Sequence, residues 1–139
     1  MRENAPQALQ PEHWARPKGF ANGMLAEGRQ VFIAGQIGWN AQQSFESDDF
    51  VAQVEQALKN IVEVLAQAGG RPEHLVRLTW YILDKGEYLA RLAEVGAVYR
   101  RVLGRHFPAM TLVQVVGLLE DRAKVEIEAT AVLPQRPTS

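Results

Sequence analysis

From Val51 onward, apolar residues recur every three or four positions: Val51, Val54, Leu58, Ile61, Leu65 and Ala68. That is the continuous stripe of an amphipathic helix, and Gly69-Gly70 behind it supplies a stop. Ser47 is placed to act as N-cap, with Asp48 and Asp49 in the first turn, where the helix dipole favours carboxylates. A second stripe, Tyr88 or Leu89, Leu92, Val95, Tyr99 and Val102, ends at Gly104. Elsewhere the period is two. In LVRLTWYIL (75–83), Leu78, Trp80 and Ile82 alternate with Arg77, Thr79 and Tyr81, which predicts a strand with one wetter face. GFANGMLAE (19–27) and QVFIAGQIG (30–38) are β-prone runs joined by Gly28-Arg29, a connection of the antiparallel hairpin kind. TLVQVVGLL (111–119) and AKVEIEATAVL (123–133) complete the set, joined by the turn-forming Glu120-Asp121-Arg122.

The elements alternate strands and helices in an α+β order within one domain over 19–133. A proline-rich, irregular arm (1–18) precedes it and a short tail (134–139) follows. Two helices cover only one face of such a sheet, whereas the run 112–119 is apolar on both faces. The second face therefore needs a cover, and in a chain of 139 residues another copy of itself is the simplest one.

Composition narrows the chemistry. Lys+Arg 15 against Asp+Glu 16 leaves a net charge of -1 with no basic concentration, so a nucleic-acid partner is not expected. The absence of cysteine removes thiol nucleophiles, thiolate metal sites and disulfides together. No run approaches the ~18 apolar residues of a membrane span, and the N-terminus lacks an apolar signal core. A soluble, unprocessed, cytoplasmic protein is expected. His13, His74 and His106 stand far apart with no metal-binding spacing, and GQIG (35–38) lacks the Gly-Lys-Ser/Thr of a phosphate loop.

Three groups of residues remain as candidates. Glu126 and Glu128 in KVEIEATAV share one strand face about 7 Å apart, fit for acid/base work if partly buried at a junction and otherwise a solvated edge. Arg100, Arg101 and Arg105 form either an anion site or a helix end matched to its dipole. Trp39 and Trp80 are either pocket walls or core.

With GQI after the second strand, FPA before the fifth and VEIEATAV at the end, the sequence resembles the YjgF-type or Rid (reactive intermediate deaminase) family from about Gly19 to Leu133. The resemblance implies a chorismate-mutase-like α+β fold: a mixed six-stranded sheet with two helices packed on one face, and a homotrimer with a central barrel and sites between subunits. It also implies hydrolysis, without metal or cofactor, of small enamines and imines released by pyridoxal-phosphate enzymes. Glu126 matches the family's water-orienting glutamate, and Gly35 and Gln36 fall in the matching pocket segment. Three positions depart from the pattern. Phe107-Pro108-Ala109-Met110 ends in methionine where such proteins carry a carboxylate-binding arginine, Phe20 stands for a tyrosine and Ala34 for a serine. The substrate would then either lack the usual carboxylate or present it to Arg105, His106 or Arg122 instead.

Two functions follow from these features: a deaminase-type hydrolase of non-standard specificity, or a trimeric module that binds a small apolar ligand without turning it over. The family's older reading as ribonuclease and translation inhibitor finds no basic groove or stacking platform in this sequence.

Overall fold

The computed structural model describes residues 5–135, so residues 1–4 of the expected arm and 136–139 of the expected tail lie outside the described residues. Among the described residues the strands are β1 (Gln7–Leu9), β2 (Gly23–Leu25), β3 (Arg29–Ile37), β4 (Leu75–Ile82), β5 (Ala109–Gln114) and β6 (Val125–Leu133). The helices are α1 (Phe50–Ala66), α2 (Lys85–Ala90) and α3 (Leu92–Leu103), and a 3-10 turn at Pro72–His74 leads into β4. The chain is thus a mixed α+β fold with three α-helices rather than two.

The stripe that predicts α1 is its buried face: Val51, Val54, Leu58, Ile61 and Leu65 all lie in the core. Trimming any of these leucines to alanine removes apolar contacts and leaves a hole, at a cost of about 2–5 kcal/mol. The cap is Asp49 rather than Ser47. Asp49 Oδ2 accepts from the Ala52 N–H at 3.0 Å, while the Ser47 hydroxyl oxygen accepts from the Asp49 N–H at 3.0 Å, one step outside the helix. Gly69, at φ 79°, takes the left-handed conformation that ends the helical run.

The six strands do not form one sheet. β3-β6-β4-β5 make a four-stranded sheet, parallel only between β4 and β5, and β1 pairs with β2 separately. The expected hairpin between 19–27 and 30–38 is therefore absent. Gly28, at φ 145°, passes so close to the Leu133 carbonyl that a side chain there would collide with it, and β3 then runs along β6 with Arg29 opposite Leu133. β2 finds its partner in the arm instead, where Ala8 lies opposite Met24. The arm is accordingly regular over Gln7–Leu9.

The second predicted helix breaks at Arg91 into α2 and α3. Arg91 bridges Asp49 at 2.6 Å and Glu94 at 2.8 Å, fastening the break to the start of α1. Leu89 and Leu92 of the expected stripe are exposed, and Val95, Val98, Tyr99 and Leu103 carry the buried face. The run 111–119 is also shorter as a strand than expected. After Gln114 only the Val115 N–H continues the ladder, to the Ile82 carbonyl at 2.8 Å, and Val116 and Leu119 stand in solvent. β5 is an edge strand, so 112–119 is not a central strand buried on both faces.

Along β6, Val125, Ile127, Ala129 and Ala131 are buried while Glu126, Glu128 and Thr130 point to the opposite, open face. The buried Gln53 ties α1 to the approach of this strand. Its Nε2 donates to the Ser47 and Arg122 carbonyls and its Oε1 accepts from the Lys124 N–H at 2.8 Å. Gly38 is confined to hydrogen, because a Cβ there would lie 2.5 Å from Gln53 Cβ.

Candidate functional site

The candidate residues divide between the two faces of the four-stranded sheet. On the open face, β3 carries a bulge between Ile33 and Gln36, where three steps along β3 match two along β6. A bulge bends the strand and re-aims its side chains. Here it brings Gly35 under Glu126, whose carboxylate fills the space a Cβ at position 35 would need. Gln36 folds back to donate to the Ala34 carbonyl at 3.0 Å, so its amide serves its own strand. Ala34 lines a shallow depression with Phe32, Thr79 and Glu128.

The two glutamates of this face differ. Tyr81 donates its hydroxyl to Glu128 Oε1 at 2.5 Å, and that hydrogen bond raises the tyrosine pKa above its ordinary value. Glu126 takes part in none of the side-chain hydrogen bonds or ion pairs found among the described residues. It is the carboxylate left available for a ligand or a water molecule.

On the helix-covered face lies the second group. The Ala21 N–H donates to the Pro108 carbonyl at 3.0 Å and Ala21 pairs with Ala109, which draws Phe20 alongside Met110. Both line a cleft of about 900 Å³ beneath α2 and α3, with Trp80, Tyr88, Phe107 and Leu112 among its walls. Phe107 stacks on Tyr99 at 5.1 Å, and burial raises the pKa of both Tyr88 and Tyr99. Trp80 is core and pocket wall at once. Its Nε1 is buried with no partner, a state that costs about 1–3 kcal/mol.

The charged groups expected to replace the missing arginine stand elsewhere. His106 Nε2 lies 2.7 Å from the Leu75 carbonyl and the His106 carbonyl accepts from the Tyr99 hydroxyl at 2.6 Å, so this residue fastens α3 to β4. Arg105 is exposed beyond Gly104 and does not line the cleft. Arg122 pairs with Asp48 at 2.9 Å and lies over the Phe45 ring. The cations that do line the cleft are Lys18 and Arg100. Arg100 had a signal in the sequence, the YRR run, but a dipole-matched helix end explains that run equally well.

Met110 aligns with Leu78 across the parallel ladder, and Glu126 aligns with Tyr81 across the other edge of the same strand. They therefore sit two strands apart and three residues offset along the strand direction, about 14 Å in all, on opposite faces of one sheet. Within one chain they do not converge on a small molecule. Among the described residues no group of three or more His, Asp or Glu is placed to hold a metal ion, and no helix is long and apolar enough to cross a membrane.

This fold is a known one. The family model described as Endoribonuclease L-PSP matches residues 15–133. The crystal structure of YyfB from Yersinia pestis, a Rid-family protein, superposes with a TM-score of 0.83 at 33% identity over 93% of this chain and 99% of that one. Escherichia coli TdcF, solved with bound serine, gives 0.65 at 29% identity over 94% of each chain. The 2-iminobutanoate/2-iminopropanoate deaminase of Salmonella typhimurium is 32% identical over 133 residues, 94% of this chain and 93% of that protein. Protein DfrA of Myxococcus xanthus is 34% identical over 131 residues, 94% of this chain and 91% of its own. The chain belongs to the YjgF/Rid family, and its relatives include deaminases of 2-imino acids.

Proposed function

We propose that the chain hydrolyses an imine or enamine of a small metabolite in clefts between the subunits of a homotrimer, whose sheets pack around a central barrel. The observation that carries this reading is the free carboxylate of Glu126 lying over Gly35 on the sheet's open face. Glu126 takes a proton from water as the water oxygen adds to the imine carbon, and the carboxylic acid so formed returns that proton to the nitrogen. In the second step the hydroxyl proton of the resulting carbinolamine passes to the carboxylate. Glu126 hands that proton to the nitrogen as the C–N bond breaks, so nitrogen leaves as ammonia, a carbonyl remains and the carboxylate is regenerated. The balance needs water alone, and backbone N–H groups near Gly35, with those near Met110 of the neighbouring subunit, would stabilise the charge that develops.

A trimer reconciles the two faces. Glu126 of one subunit meets the Phe20–Met110 cleft of the next, and the exposed Phe32 is covered by a neighbouring sheet. The second reading, a trimer that binds a ligand without turnover, is favoured by one observation: Phe20, Ala34 and Met110 line their sites without a hydroxyl or charge.

Subunit mixing tests the composite site. Glu126→Gln removes the base, and Phe20→Asp, at a partly exposed position, places an anion in the cleft; each homotrimer should fail to release ammonia. Refolded together, the two should recover activity, since about a quarter of the mixed clefts join an intact glutamate to an intact Phe20. No recovery from two inactive parents would remove the shared cleft, and inactivity of the wild type on any imine would favour the binding module.

A further inference from the structure

The cleft on the helix side is built for a larger substrate than the 2-iminobutanoate and 2-iminopropanoate for which its deaminase relative is named. At about 900 Å³ it lies at the upper end of small-ligand pockets, which span roughly 300–1,000 Å³. A two- or three-carbon side chain would leave most of it filled with water against aromatic walls. No acidic side chain lines it among the described residues, and its two cations are Lys18 and Arg100.

Arg100 differs from the other arginines of α3 and its cap. Arg91 pairs with Asp49 and Glu94, and Arg101 pairs with Glu55 at 3.0 Å. Arg100 forms none of the ion pairs found among the described residues. Its guanidinium turns back one helical turn over Gly96, where a Cβ would lie 3.3 Å from Nη1. Gly96 and Arg100 both line the cleft, so the unpaired guanidinium lies along its rim. A side chain directed only at the helix dipole would reach the last carbonyls instead.

We infer that this cleft takes a 2-imino or enamine carboxylate with an aromatic-sized apolar side chain, its carboxylate on Arg100 and its side chain between Trp80, Tyr88, Phe107 and Met110. The inference rests on the imine-hydrolase reading above and names its substrate class. The carboxylate carbon and the imine carbon are bonded neighbours. Holding the carboxylate at the rim therefore holds the imine at the mouth, where Glu126 of the partner subunit would reach it. Met110 then contributes what a long apolar side chain needs, a flexible wall without charge.

Binding of stable keto-acid products tests this without relying on turnover. By calorimetry the wild-type protein should bind phenylpyruvate at least about tenfold more tightly than pyruvate, because only the former covers the aromatic walls. Arg100→Gln should weaken phenylpyruvate about tenfold or more through loss of a charge-assisted contact, and leave phenylacetone, the same ketone without the carboxylate, unchanged. Arg100 is exposed, so the variant is expected to fold. Equal affinity for pyruvate and phenylpyruvate, or an Arg100→Gln protein that keeps full affinity for phenylpyruvate, would overturn the inference. Ammonia release measured with Glu126→Gln is independent of both results, so failure of the hydrolase reading and failure of this one are told apart.

Discussion

The carboxylate of Glu126 occupies the volume that a side chain at position 35 would need, so the absence of a Cβ at Gly35 and the position of the glutamate are one structural fact. The colliding atoms are the mobile end of Glu126, not backbone. Gly35→Ala should therefore displace the carboxylate at little structural cost, with stability changing by less than about 1.5 kcal/mol. Ammonia release should fall at least about tenfold, because a base moved by an ångström loses its alignment with water. Urea denaturation together with the imine assay checks both halves. A variant that keeps full turnover would show that the glutamate need not lie where it does.

Phe32 sits on the open sheet face, 73% exposed in the single chain. Replacing it with glutamate removes almost no contact within the protomer. If the face is covered by another subunit, Phe32→Glu buries an unpaired charge there, which the assembly cannot accommodate. Light scattering should give a trimer for the wild type and a folded monomer for the variant, with the far-ultraviolet circular dichroism preserved. A monomeric wild type at micromolar concentration would contradict the covered face.

His74 makes stability respond to pH. Burial lowers its imidazole below the ordinary 6.5, and its Nδ1 accepts the Arg71 N–H at 3.0 Å, a bond that only the unprotonated nitrogen makes. As pH falls below about 6.5 the unfolded chain takes up a proton that the folded chain still refuses, so this contribution is complete above that pH and declines beneath it. Urea midpoints at about pH 7.5 and 5.5 should differ more for the wild type than for His74→Asn, which keeps an acceptor without titrating there. Equal differences would remove His74 from the pH response.

Met110 stands where the family resemblance implies a carboxylate-binding arginine, so 2-iminopropanoate is expected to be hydrolysed slowly by the natural sequence. Met110→Arg should raise its kcat/KM about tenfold, by a guanidinium fork to the carboxylate. Phe20 and Ala34 still lack hydroxyls, which keeps the gain partial. Brisk wild-type turnover of this substrate would mean that an anchor already reaches a short carboxylate.

Helices and strand faces were legible where periodicity and burial coincide. The stripe from Val51 to Leu65 is α1's buried face, and the alternation around Glu126 and Glu128 separates core from open face as it reads. Pairing was not legible, because it depends on contacts distant in sequence. Nothing near Gly28 reveals that Leu133 will lie against it, and nothing in 111–119 reveals that β5 stays at an edge. The same limit applies to the site. Glu126 and Met110 could be named from local motifs, but their separation onto opposite faces is a property of the sheet. Arg100 was visible as charge, and its value as a rim cation depends on Gly96 one turn earlier and on having no ion partner.

The most direct measurement is ammonia release from freshly generated imines by the wild-type protein and by Glu126→Gln, side by side at equal protein concentration. The amide keeps the shape of the carboxylate over Gly35 and loses its basicity, so the account predicts turnover by the wild type. In the variant it predicts a fall of at least about 100-fold, the scale of a lost general base, with the assembly intact. Undiminished release by a folded Glu126→Gln protein whose assembly matches the wild type would contradict it.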